Sequence, residues 1–318
     1  MSFWADKKVV VTGGAGFLGS HVVQKLLDHG ARGILVVRQS DYDLTREEAC
    51  TRLLEDTHPD VVIHLAALVG GILANKARPA EFFYQNLTMG AFMLHSSWRY
   101  GVKKFIAAGT WCAYPERAPM PLKEESLWDG FPHKESAPYS LAKRLLHIQA
   151  TAYDQQYRFV SVVTIPGSMY GPYDHFDPEA AHVIPALVRK FVEATEGGAP
   201  EVVVWGTGRP TRDFVYAQDV ADGILLAAER YDRTELVNLS SGIETSILEL
   251  VETIRRLTGY RGKVVWDPSH PDGHTRCWFD ISKAKRDLGF QPRTSLRDGL
   301  GKTIDWYRTN RQVAPLRG

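Results

Sequence analysis

Short apolar runs alternate with amphipathic stretches through the first half of the chain. Val9–Thr12, Ile34–Val37, Val61–Leu65, Phe105–Ala108 and Val160–Ile165 are β-branched and nearly continuous in apolar character, the pattern of strands buried on both faces. Between them, Ser20–His29, Arg46–Asp56, Ala80–Tyr100 and Tyr139–Gln156 repeat their apolar residues at helical spacing. Strand–helix alternation of this kind predicts the α/β class, with a doubly wound parallel sheet covered by helices on both faces. After Ile165 the texture changes. Pro166-Gly167, Gly171-Pro172 and Asp177-Pro178 break the chain, His182–Glu193 reads as a helix and Val202–Trp205 as a strand. A polar loop, Gly206–Asp213, follows, then a helix at Ser246–Thr258 and a strand at Lys263–Trp266. No repeat or long linker separates the halves. The expected division is therefore interleaved: 1–168 with 213–240 as a dinucleotide-binding domain, and 169–212 with 241–318 as a smaller α/β substrate domain.

Bulk properties narrow the field. The 318 residues are 44% apolar and 24% charged with a formal net charge of +1, which gives no reason to expect nucleic acid or an anionic membrane as partner. Any anionic ligand must be held by local arginines. Cys50, Cys112 and Cys277 are too few and too irregularly spaced for a disulfide framework or a zinc site, so no metal is expected. No apolar run approaches the roughly 20 residues of a membrane span. The opening residues pass straight into a strand, without the layout of a signal peptide. A cytoplasmic protein is the expectation.

Two motifs carry chemistry. Gly13-Gly14-Ala15-Gly16-Phe17-Leu18-Gly19 lies between a strand and a helix, where bare backbone and unpaired helix N–H groups receive a pyrophosphate. Gly13, Gly16, Phe17, Leu18 and Gly19 are thus candidate cofactor residues. The second predicted strand ends in Arg38, and the first acids after it are Asp41 and Asp43. Arg38 can pair with a 2′-phosphate, which favours NADP, or can be a solvated strand end; Asp43 keeps NAD open as the alternative. In the second motif, Tyr139 and Lys143 stand four residues apart on one helix face. A neighbouring ammonium favours phenolate, so Tyr139 is expected to exchange its proton nearer neutral pH than a free tyrosine. Together the motifs point to hydride transfer to or from a carbonyl.

With the Thr12–Gly19 turn, His64-Leu65-Ala66-Ala67, Tyr139-x-x-x-Lys143, Arg212-Asp213-Phe214-Val215-Tyr216 and Asp219-Val220-Ala221, the chain resembles the extended short-chain dehydrogenase/reductases over nearly its whole length. Within them it resembles the GDP-L-fucose synthase family, the GDP-4-keto-6-deoxymannose 3,5-epimerase-4-reductases. The stretches that carry this are Val69–Asn75, Tyr84-Gln85-Asn86, Cys112-Ala113-Tyr114-Pro115, His182–Leu187, Val202–Gly206 and Pro271-Asp272-Gly273. The resemblance implies a Rossmann-type nucleotide domain, a GDP-sugar domain, NADPH and a homodimer.

By the same resemblance, Thr110, Tyr139 and Lys143 form the reductase triad. Thr110 would hydrogen-bond the C4 oxygen, Tyr139 would donate the proton, and Lys143 would grip the nicotinamide ribose. Cys112 and His182 take the positions of the two groups that remove and return protons at C3 and C5, carbons acidified by the C4 ketone. Without it, Cys112 would read as a small buried hydrophobe and His182 as a helix-start residue. Ala66 and Asn86 stand at cofactor positions, although Asn86 alone would read as a helix-surface residue. Arg212 matches a pyrophosphate clamp. Trp205 lines the sugar pocket or packs into the second domain; Arg189 reaches the phosphates or faces solvent. The chain departs from the family at Ala15, Trp111, Ser136, Ser168 and Cys277, where adjacent Arg276 would replace a substrate-facing lysine. These departures admit another 4-keto sugar, such as a 6-deoxy-heptose. The competing readings are an NAD-dependent nucleotide-sugar 4-epimerase or dehydratase, a simple 4-ketoreductase, and a non-catalytic cofactor sensor.

Overall fold

The computed structural model describes residues 2–177, 181–270 and 272–312. Pro178 of the Asp177-Pro178 break and Pro271 of the Pro271–Gly273 stretch lie outside the described residues. The first half runs β1 (Lys8–Thr12), α1 (Phe17–Asp28), β2 (Gly33–Val37), α2 (Glu47–Thr57), β3 (Val61–His64), α3 (Ile72–Ala77), α4 (Pro79–Arg99), β4 (Lys104–Ala108), α5 (Ala137–Tyr157) and β5 (Ser161–Pro166). It continues with β6 (Ser168–Tyr170), α6 (Val183–Glu196), β7 (Glu201–Trp205), β8 (Thr211–Arg212), β9 (Phe214–Tyr216), α7 (Ala217–Arg230) and β10 (Val237–Leu239). The chain ends with β11 (Thr245–Ser246), α8 (Ile247–Thr258), β12 (Lys263–Asp267), α9 (Ser282–Leu288) and α10 (Leu296–Asn310).

A six-stranded sheet in the order β10-β5-β4-β3-β1-β2 forms the centre, with every neighbouring pair parallel. Strand periodicity divides its side chains between two cores. Val10, Val62, Phe105 and Val163 face α2, α4 and α5, where they meet Leu53, Met93 and Leu146. Val9, Val11, Ile63 and Ile106 point the other way, to Val22 and Leu26 of α1 and Ile224 and Leu225 of α7. This is the doubly wound α/β arrangement that the apolar strands predict. A third core joins α6, α8 and α10 with β7 and β9 through Val188, Phe191, Val204, Leu250 and Ile304. The segment 282–290 returns to the large sheet, because Ala284, Leu288 and Phe290 are buried against α7 and β10. It therefore packs on the sheet side, although the interleaved division assigns it to the substrate domain.

Parallel strands put all their C-terminal ends on one edge of the sheet. Ligands of such sheets bind beyond that edge, and there β1, β3 and β4 hand the chain to the glycine turn, to Ala66 and to Thr110.

Candidate active site

The turn from β1 to α1 is held at backbone distance from β3. Gly13 has φ +68°, and a Cβ there would lie 2.7 Å from the Ala66 nitrogen. At Gly19 a Cβ would lie 2.0 Å from the Gly13 carbonyl oxygen. Thr12 Oγ1 ties the neighbouring strand ends, lying 2.8 Å from His64 Nδ1 and accepting from the Ala66 N–H at 3.2 Å. Gly16, the N-cap of α1, supplies no side-chain cap, so the first helical N–H groups remain open to an anion. A side chain at these glycines would fill the cradle, and the residues present fit a dinucleotide pyrophosphate. Leu18 is buried in the α1 core, while half-buried Phe17 packs edge-on to His21. Arg38 is exposed just past β2. Asp43 is committed to its own turn: it accepts from the Thr45 N–H and hydroxyl, and these bonds hold its carboxyl below the usual range. Asn86 is buried rather than on the helix surface, and it pins the loop after β3. Its amide donates to the Leu68 and Phe82 carbonyls, and its Oδ1 accepts from the Leu68 N–H.

Beyond β4, Thr110 caps a short helical turn, Trp111–Ala113, by accepting from the Cys112 N–H at 3.3 Å. The Thr110 hydroxyl also lies near the side chains of Cys112 and Tyr139, close enough to oppose the rise in pKa of both. Lys143, one turn along α5 from Tyr139, is buried and donates to the Ala108 carbonyl at 3.2 Å. Its neighbour Arg144 donates to the Ala113 and Gly130 carbonyls and so fixes the Cys112 turn to α5. Thr110, Cys112, Tyr139 and Lys143 thus form one cluster built from β4 and α5.

The protonation expected of Tyr139 is corrected here. Burial pushes its phenol well above the usual range, with Cys112 acting in the same direction and the Thr110 hydroxyl opposing. Burial also pulls Lys143 down to about 8. Desolvation thus outweighs the ammonium's pull on the phenol, and Tyr139 is held as an acid. Cys112 and His182 diverge in the same way. Burial raises the thiol against the pull of the Thr110 hydroxyl, and burial followed by His175 lowers the imidazole. His182 forms the N-cap of α6. Its side chain is exposed, yet the protein around it disfavours the charged form.

On the far side, Arg212 donates to the Thr211 and His274 carbonyls at 2.8 and 2.6 Å. Arg189 is paired with Glu193 at 2.9 Å and Arg276 bidentately with Glu244 at 2.7 Å. Trp205 does not pack inward. Its ring is 60% exposed, stacks on His270 at 4.2 Å between centroids, and lies under the Lys190 ammonium. Cys277 is buried, shares a small cavity with Cys112 and is pushed up to about 12 by burial. That cavity is also lined by His133 and His274, which the sequence reading passed over. Lone histidines in loops carry no periodic or motif signal. Asp174 was missed for the same reason; it is 3% exposed, leaves Oδ2 without a partner and is pushed up to about 7 by burial.

A glycine-cradled dinucleotide site beside a tyrosine and a buried lysine one helical turn apart defines an NAD(P)-dependent enzyme of the short-chain dehydrogenase/reductase type. Residues 9–240 match the NAD dependent epimerase/dehydratase family. The chain belongs to that family. It is similar to GDP-L-fucose synthase 1 of Arabidopsis thaliana, with 40% identity over 98% of this chain and 96% of the relative. The solved GDP-L-fucose synthetase of Naegleria fowleri bound to NADP superposes with a TM-score of 0.90 at 30% identity, covering 99% of this chain and 98% of that one. A GDP-D-glycero-L-gluco-heptose synthase of Campylobacter jejuni, solved in the presence of NADPH, superposes at 0.89 with 26% identity over 96% and 99% of the two chains.

Proposed function

We propose that the chain catalyses NADPH-dependent 3,5-epimerisation and 4-keto reduction of a GDP-4-keto-6-deoxy sugar, forming GDP-L-fucose from the manno substrate. The observation that carries this is Cys112 placed, by its N–H bond to Thr110, beside the same threonine hydroxyl that neighbours Tyr139. A plain ketone reduction uses threonine, tyrosine and lysine; a thiol in the cluster supplies the base that inversion of a carbon next to the ketone requires.

In this reading Gly13, Gly16, Phe17, Leu18 and Gly19 hold the pyrophosphate through backbone, Ala66 and the Asn86-pinned loop border the dinucleotide, and Arg38 meets a 2′-phosphate. NADPH, when bound, supplies the hydride for C4. Cys112 takes the proton from C3 or C5, leaving an enolate whose oxygen is stabilised by Thr110 and Tyr139. His182 returns a proton from the opposite face. Tyr139 then gives its proton to the C4 oxygen during reduction, and Lys143 orients the ribose. Arg212 meets the diphosphate; Arg189 and Arg276 reach it or the sugar only by leaving their carboxylates. Trp205 offers a ring face to the sugar or nucleotide at the rim.

The large sheet with its two helical layers serves as the cofactor lobe and the third core as the sugar lobe. Among the described residues, no helix is long and apolar enough to cross a membrane and no cluster could hold a metal ion. We place the enzyme in the cytoplasm, where its three thiols stay reduced, and read it as a homodimer joined through the exposed apolar face of α4 and α5.

The test is incubation with GDP-4-keto-6-deoxy-D-mannose and either NADPH or NADH in deuterated water. Deuterium at C3 and C5 with NADPH oxidation and an L-configured product supports the proposal. Reduction without deuterium identifies a simple 4-ketoreductase. Turnover only with the corresponding heptose assigns the departures at Trp111, Ser136, Ser168 and Cys277 to a longer sugar.

A further inference from the structure

Beside Cys112 lies a cavity of about 20 Å³, walled by Trp111, His133, His274, Arg276 and Cys277. Since about 10–15 Å³ holds one water, it has room for a single small substituent. The two imidazoles lie with centroids 5.0 Å apart and planes tilted by 60°, and Trp111 packs edge-on to His274 at 5.7 Å. Each histidine is fixed through its backbone by functional machinery. The His133 carbonyl accepts from Ser136 at the entry to the Tyr139 helix, and the His274 carbonyl accepts from Arg212. These bonds hold the two backbones in place, and His133 Nδ1 is buried without a hydrogen-bond partner.

We propose that His133 and His274 are specificity-determining residues that recognise the hydroxyl on C3 of the 4-keto sugar. The inference rests on the function proposed above. Burial, then Arg212 and His133, push His274 below its ordinary value, so at neutral pH it offers one N–H donor and one acceptor nitrogen. A hydroxyl also donates once and accepts, whereas an anion needs only donors. Cys112 selects the carbon. The substituent on the carbon that it deprotonates lies next to it, and of the two carbons flanking the ketone C3 carries a hydroxyl and C5 a methyl. A methyl in this cavity would leave His133 Nδ1 unpaired, at the full desolvation cost of a buried polar group.

The test compares kcat/KM for GDP-4-keto-6-deoxy-D-mannose and its 3-deoxy counterpart, with NADPH, in the wild-type enzyme and in His133→Phe, His274→Phe and His274→Gln. The Phe variants should lose about 10–100-fold on the 3-hydroxy sugar, the range for a lost polar recognition contact, and retain the wild-type rate on the 3-deoxy sugar. Gln, which keeps a donor and an acceptor, should restore most of the loss. Parallel losses on both sugars in the Phe and Gln variants would overturn the proposal while leaving the proposed function standing. If wild-type enzyme turns over neither sugar, the proposed function itself fails.

Discussion

At the residue scale, position in the sequence and protonation in the fold are separate matters. Tyr139 and Lys143 were legible because four-residue spacing places two side chains on one helical face, and Thr110, Tyr139 and Lys143 do share a cluster. Their charge states were not legible. They depend on desolvation, which comes from the helices and loops that close over β4 and α5. The consequence is a pH profile. With the Cys112 thiol raised and the His182 imidazole lowered, thiolate and imidazolium are both scarce at pH 7. The product of their fractions is level between the two titrations, so solvent deuterium incorporation should be independent of pH through neutrality. Tyr139 stays protonated well beyond that range, but Lys143, pulled down to about 8 by burial, loses its ammonium just above it, so reduction of an already epimerised ketone should fall above about pH 8. Rapid-quench mass spectrometry separates the two steps; a tenfold change of deuterium exchange per pH unit through pH 7 would contradict the opposed shifts of Cys112 and His182. Cys112→Ser should abolish exchange at one or both carbons and preserve NADPH oxidation. Tyr139→Phe should cost reduction about 10²–10⁴-fold and slow exchange less, because Thr110 still holds the enolate oxygen.

At the element scale, strands with continuous apolar runs and most helices with a clear polar face were readable, and short strands were not. In α7 the seven buried apolar residues from Ala217 to Ala228 do recur at helical spacing, so this helix was present in the pattern and was passed over. The strand β10 is three residues long, yet it completes the large sheet beside β5; tertiary pairing, not local pattern, makes it a strand. The glycine turn was legible because its function and its sterics coincide. Gly19→Ala would put a methyl group 2.0 Å from the Gly13 oxygen, which forces the turn open. Gly301 in α10 has nothing within 4 Å of an added Cβ. Gly301→Ala should therefore stabilise the fold by about 0.5–1 kcal/mol in urea unfolding. Gly19→Ala should lower stability and weaken NADPH binding at least about tenfold, 1.4 kcal/mol, in fluorescence titration. Equal effects of the two changes would mean that the turn tolerates bulk and that the cradle has been misread.

At the scale of the whole molecule, the surface left over by the fold bears on assembly. The outer face of α5 presents Leu141, Leu145, Ile148 and Ala152 in one stripe, with Leu145 and Ile148 42% and 48% exposed. Alongside it, α4 presents Tyr84, 61% exposed, and Trp98 of α4 stacks on Tyr157 of α5 at 4.1 Å. The two helices are already locked together by the inner core and by Gln149, which donates to the Ala91 carbonyl. The stripe is therefore rigid before any partner arrives, which spares an association most of its ordering cost. A second copy placing the same pair against it would form a four-helix contact. Leu145 and Ile148 at its centre would each contribute about 1.5–3 kcal/mol on full burial. Ile148→Glu would put a charge on both sides of the two-fold axis, where like charges face one another without solvent. Sedimentation velocity should give a dimer for the wild type and a monomer for Ile148→Glu, with unchanged circular dichroism. The catalytic cluster points to the other side of α5, toward β4, so the monomer should still bind NADPH. A wild-type chain sedimenting as a monomer at micromolar concentration would refute the assembly and leave the active-site assignment untouched.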